Sequence, residues 1–138
     1  MSRDASIEMT LPARPESVTV VRQALSGLAE VDGWSPAFLT DAKIAVSEAS
    51  TNVVVHAYPD GNSGMLSVTM TLNDDRLVVI VRDQGVGIAP RLNDRSAGLG
   101  LGLPLIAALS SEVQVKSKDD GHTEVSMMFV VPRDDDAQ

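Results

Sequence analysis

A carboxylate and a carboxamide four residues apart, Glu48 and Asn52, head the side chains whose types and spacing could do chemistry. On a helix, positions i and i+4 lie one above the other, so the two share a polar stripe that His56 extends. A carboxylate so placed can act as a general base, and a carboxamide oxygen can hold Mg²⁺, a hard cation that prefers oxygen. The same residue types also make an ordinary solvated helix face. His56 has no partner motif around it and is assigned no chemistry.

Asp83-Gln84-Gly85-Val86-Gly87 closes a segment in which Leu77, Val79, Val81 and Asp83 share one parity. If that segment is a strand, the carboxylate points to the apolar side, which is costly unless a donor meets it. An adenine amino group is such a donor, and Gly85 and Gly87 leave room for a base against backbone. An Asp that caps its own turn would read the same way. Further on, Gly98, Gly100 and Gly102 lead into a helical pattern, and free N–H groups at a helix start attract phosphate. The polar run Arg91–Ser96 before them reads as a lid, with Arg95 either near the phosphates or simply an exposed loop arginine. Thr123, after Gly121, shares parity with Val125, Met127 and Phe129. Its hydroxyl can support Asp83 or a base through water, or it can be a plain β-branched strand residue.

These residues need a frame to bring them together. Ser6–Leu11 alternates as a strand, Pro15 to about Val31 has helical spacing, and Asp32–Gly33 stops it. Ser35–Pro36 is a cap and first-turn proline opening a long helix to about Tyr58, with Leu39, Ala42, Val46, Ala49 and Val53 inward. Met65–Leu72 and Arg76–Asp83 form a hairpin, Gly102–Ser110 is helical, and Glu112–Ser117 with His122–Val131 form a last hairpin. The order β-α-α-β-β-α-β-β predicts an α+β two-layer sandwich, a mixed, mostly antiparallel sheet with helices on one face. One domain over residues 5–132 is expected, with frayed ends at 1–4 and 133–138.

The totals fit that frame. With 138 residues, 43% of them hydrophobic and only 3% aromatic, the core must be aliphatic. There is no cysteine, hence no disulfide and no thiolate site. A net charge of −8 argues against direct nucleic-acid binding, which draws on Lys and Arg. No apolar run approaches the roughly 18 residues of a membrane span, so a cytoplasmic protein without membrane contact is expected.

The order of the motifs is more specific than any one of them. Glu-x-x-x-Asn on a helix, strand-Asp-x-Gly-x-Gly, Gly-x-Gly-x-Gly-helix and Gly-x-Thr on a strand together resemble the GHKL ATPase superfamily. That superfamily, with its histidine-kinase-like ATPase fold, includes gyrase, the heat-shock chaperone, histidine kinases and mismatch-repair proteins. The wording Glu-Ala-x-Thr-Asn-x-x-x-His-Ala-Tyr and the short lid are similar to the bacterial anti-sigma-factor serine/threonine kinases. The resemblance implies that Asn52 coordinates Mg²⁺ between the phosphates of ATP and that Glu48 orients or deprotonates an acceptor hydroxyl. It implies Asp83 on the adenine amino group, Gly85 and Gly87 beneath the base, and Thr123 supporting through water. Gly98, Gly100 and Gly102 would cradle phosphates and hinge the lid. It also implies a homodimer that holds a sigma factor inactive and phosphorylates a serine on an anti-sigma-factor antagonist. An ATP-gated binding module with little catalysis is the alternative.

ATP with Mg²⁺ at about 100 times its dissociation constant is expected to stabilise the protein by roughly 2.7 kcal/mol. Asp83→Asn, which cannot accept at both oxygens, loses that thermal shift; equal shifts in parent and variant would remove the adenine assignment.

Overall fold

The computed structural model describes residues 4–57, 64–83, 102–117 and 122–133. In chain order the elements are β1 (Ala5–Pro12), α1 (Pro15–Asp32), α2 (Pro36–Asn52), β2 (Met65–Asn73), β3 (Arg76–Asp83), α3 (Gly102–Leu109), β4 (Glu112–Ser117) and β5 (Thr123–Val130). The strands form one five-stranded sheet in the order β1-β2-β3-β5-β4. All four pairings are antiparallel, so the parallel component of a mixed sheet is not found among the described strands. The last hairpin turns back on itself, which puts β5 beside β3 and leaves β4 at the edge.

Local chemistry accounts for the helix ends. Pro15 and Pro36 open their helices at positions where the missing N–H costs nothing. The Ser35 hydroxyl caps α2 by accepting from the Phe38 N–H at 3.1 Å. Gly33 ends α1 in the left-handed region at φ 70°, which a side chain would strain. The chain after Asn52 departs from the sequence expectation of a plain helix to Tyr58. It widens into a π-helical turn over Val53–Ala57. Three consecutive valines, Val53 to Val55, occupy that turn.

Alternation decides which face of the sheet is covered. Leu66, Val68, Met70 and Leu72 of β2 are buried, as are Leu77, Val79 and Val81 of β3 and Val125, Met127 and Phe129 of β5. Against them pack Val21, Leu25 and Leu28 of α1, Ala42, Val46 and Ala49 of α2, and Ile106 of α3. Each fully buried aliphatic side chain of this size contributes about 1.5–3 kcal/mol. The opposite face is partly exposed and carries the Arg82–Glu124 ion pair at 2.8 Å.

One end of the sandwich is locked by rings and a charge clasp. Trp34 meets Phe38 edge-on at 5.0 Å, and Phe38 meets Phe129 edge-on at 6.2 Å. Asp32 accepts from Trp34 Nε1 at 2.8 Å and pairs with Arg133 at 2.8 Å, the two charged side chains being 4% and 14% exposed. Arg133 also donates to the Asp74 carbonyl, tying the chain after β5 to the β2–β3 turn.

Asp32→Ala strands two donors in this clasp and is expected to cost about 1.5–3 kcal/mol in urea unfolding. Glu8→Ala, on an exposed strand position, is expected to stay within about 0.5 kcal/mol. A loss for Asp32→Ala no larger than the control would show that the clasp contributes nothing.

Candidate functional site

The polar residues singled out in the sequence gather at the end of the sandwich remote from the rings. Along α2, Phe38 and Asn52 are about 21 Å apart at 1.5 Å per residue. Along β5, Phe129 and Thr123 are about 20 Å apart, and β3 runs beside it with Leu77 opposite Phe129. Asn52, Asp83 and Thr123 therefore share one end, where β3 stops, β5 starts and α2 gives way to its π turn.

Asp83 is 1% exposed on the helix-covered face of the sheet, as its parity predicts. Its strand partner on one side is Leu66. On the other side, the Arg82–Glu124 pair places Asp83 and Thr123 one step further along neighbouring strands, on the same face. Thr123 is likewise 1% exposed. Both residues take part in polar interactions of their own. A carboxylate in such a place is costly unless specific donors meet it, and its burial excludes a solvated turn cap.

Glu48 and Asn52 sit on successive turns of α2, with Asn52 buried and Glu48 partly exposed. Facing them is Gly102, the first residue of α3, and the approach is close. A methyl group at Gly102 would lie 3.1 Å from Asn52 Nδ2, 3.7 Å from Asn52 Oδ1 and 3.7 Å from Glu48 Oε2. Three expected site residues, far apart in sequence, thus meet. The N–H groups at the start of α3 open beside a carboxamide oxygen and a carboxylate. That donor set suits a nucleotide phosphate with Mg²⁺, which binds through one or two protein oxygens plus phosphate oxygens. Asn52 would hold the metal, and the α3 start would hold phosphate.

Gly85, Gly87, Arg95, Gly98, Gly100 and the lid expected at residues 91–98 lie outside the described residues. His56 lies in the π turn and is half-buried with an interaction of its own, so the even polar stripe of an α-helix is not kept there. A feature the sequence reading missed is a cleft of about 380 Å³ between α1 and α2, lined by Arg22, Thr40, Lys43, Ile44, Ser47 and Glu48. Its only sequence signal is helical spacing: Thr40, Ile44, Ser47 and Glu48 recur at three and four residues on α2.

Gly102→Ala tests the approach directly. Alanine suits a helix better than glycine, so fold stability should hold or rise. The new methyl forces the Asn52 amide to move by a few tenths of an ångström. Calorimetric titration should show Mg²⁺-nucleotide affinity falling about tenfold or more, misplacement of a positioning group being that costly. Unchanged affinity would show that the contact does not set the site.

Comparisons with known proteins bear on the fold and the family. A family model described as a histidine kinase-like ATPase domain matches residues 11–129. The serine-protein kinase RsbW of Bacillus velezensis is 44% identical over 125 residues, covering 80% of this chain and 78% of that one. The protein of the same name from Bacillus licheniformis is 41% identical over 143 residues, covering 93% and 87%. Among solved structures, the RsbU and RsbW domains of Rv1364c from Mycobacterium tuberculosis share the fold with a TM-score of 0.73. Identity there is 24%, over 94% of this chain and 33% of that one. The SiaB–SiaC complex of Pseudomonas aeruginosa contains the fold again, with a TM-score of 0.65 and 20% identity over 91% and 89%. With its site residues set on this frame and relatives of this identity along most of its length, the chain belongs to the histidine kinase-like ATPase domain family, and within it to the RsbW serine-protein kinases.

Proposed function

We propose that this chain is an ATP-dependent serine kinase and anti-sigma factor that sequesters a sigma factor and phosphorylates a serine on an anti-sigma-factor antagonist. The observation that supports this most is the placing of Glu48 Oε2 and Asn52 together against the first residue of α3. When bound, ATP with Mg²⁺ supplies the transferable phosphoryl group and the counter-charge for it. Asn52 would hold the metal, and the α3 N-terminus would hold phosphate oxygens. Asp83 accepts from the adenine amino group, with Thr123 beside it. Glu48 would take the proton from the acceptor serine hydroxyl.

A binding module gated by nucleotide needs Asn52 and Asp83 but has no use for a carboxylate at position 48. A carboxylate at position 48, partly exposed one turn before the buried Asn52, therefore favours the kinase. A homodimer and a cytoplasmic location belong to the same proposal. Among the described residues, no helix is long and apolar enough to cross a membrane.

Two substitutions separate base from metal ligand. Glu48→Gln is expected to keep nucleotide affinity and to lose about 10²–10⁴-fold in phosphoryl transfer. Asn52→Ala is expected to weaken both nucleotide binding and transfer. The measurement is radiolabel incorporation from ATP into the antagonist, beside nucleotide titration. Full transfer by Glu48→Gln would remove the base assignment, and ATP-dependent sigma-factor binding by a parent that transfers nothing would leave the module reading.

A further inference from the structure

The cleft between α1 and α2 shares one lining residue, Glu48, with the nucleotide end of the molecule. Its other charged lining is positive, Arg22 from α1 and Lys43 from α2. In a chain of net charge −8, this small space thus carries a surplus of one positive charge. Among the described residues neither cation is placed in an ion pair, unlike Arg82 and Arg133. Two cations on one space repel each other, and an incoming anion relieves that repulsion. A second observation points the same way. Ser47, also in the lining, keeps its Oγ buried without a hydrogen-bond partner. Other hydroxyls of α2 bond back to their own helix. Ser50 donates to the Val46 carbonyl at 2.8 Å and Thr40 to the Pro36 carbonyl at 2.9 Å. Ser47 forgoes that bond, and an acceptor oxygen seated in the cleft would satisfy it. Acceptor oxygens bearing a single negative charge describe a carboxylate. A dianion would overshoot the surplus, and a neutral amide would leave it unmet.

We infer that this cleft is a docking subsite for a carboxylate side chain of the acceptor protein, an Asp or Glu carried close to the serine that receives the phosphoryl group. The choice of occupant rests on the kinase reading, because Glu48, the proposed base, is part of the cleft lining. A polypeptide that brings its serine to Glu48 lies across the neighbouring turns of α2, over Ser47 and Lys43. Lys43 and Glu48 are five residues apart on α2, about 7.5 Å along its axis. An extended chain covers that span in roughly two or three residues. The acidic residue therefore stands two or three positions from the serine. Lys43 and Arg22 hold its charge, and Ser47 donates to one of its oxygens. With that side chain seated, the serine hydroxyl is delivered to Glu48 in register. The subsite thereby decides which serine is chosen, while the nucleotide is held separately by Asn52 and the start of α3.

The test uses the full chain and the unphosphorylated antagonist in two measurements. Calorimetric titration in ADP with Mg²⁺ reads docking without turnover, and radiolabel transfer from ATP reads kcat and the KM for the antagonist. Arg22→Gln with Lys43→Gln should weaken docking and raise that KM at least tenfold, with kcat and the KM for ATP unchanged. Lys43→Arg alone should keep both. Ser47→Ala separates docking from folding: loss of an unsatisfied buried hydroxyl keeps or raises the melting temperature, whereas docking still weakens. Lys43→Glu should be rescued when the antagonist carries Lys in place of its acidic residue two or three positions from the serine. Unaltered circular dichroism shows that the variants fold. Unchanged docking and KM in the double variant, with transfer intact, would overturn the subsite and leave the kinase reading in place. A parent that transfers nothing, yet docks the antagonist through Arg22 and Lys43, would defeat the kinase reading and leave the subsite standing. Loss of sigma-factor binding in the double variant, with antagonist docking untouched, would give the cleft to the other partner and overturn the proposal.

Discussion

Gly102 can stand beside Asn52 and Glu48 only because α2 is pinned along its length before it reaches them. Its apolar stripe, Ala42, Val46 and Ala49, is fully buried, and its first turn is held by the Ser35 cap and the ring contact of Phe38. A rigid helix carries this fixing to its far end, where small angular errors would otherwise move Asn52 by ångströms. The small residues along the stripe matter here. Three alanines, 42, 45 and 49, let α2 lie close to its neighbours and leave little slack for it to roll.

The sheet supplies the second half of the same arrangement. Its alternation puts aliphatic side chains under α2 for most of the length of β3 and β5, then substitutes Asp83 and Thr123 at the last positions. Core and site are therefore one continuous surface, apolar along the strands and polar at their ends. The polar end is costly to bury, and the aromatic and ionic contacts at the other end help to offset it. Function and stability occupy opposite ends of the same layers.

Much of this was legible in the sequence because a one-sided sheet enforces strict alternation. The parity of Asp83 with Leu77, Val79 and Val81 placed its carboxylate on the buried face before any coordinates. The four-residue spacing of Glu48 and Asn52 placed them together on α2 for the same kind of reason. What was not legible depends on partners distant in the chain. Nothing local says that β5 returns between β3 and β4, that Gly102 abuts Asn52, or that Arg133 reaches Asp32. The π turn was missed for another cause: hydrophobic spacing over so few residues does not distinguish a π turn from a continuing α-helix. The α1–α2 cleft was invisible because its walls come from two helices whose docking angle only packing decides.

The clustering of rings has a practical side. The single tryptophan of the chain, Trp34, meets Phe38 edge-on and donates to Asp32, some five turns of α2 away from Asn52. As an intrinsic fluorophore it is wired to the integrity of the core and the charge clasp, so its emission is a reporter of global unfolding. Occupancy at the polar end takes place beyond its immediate surroundings. Optical work on ligand binding is better served by a label introduced near the start of α3, leaving the natural indole as an independent gauge of foldedness in the same cuvette.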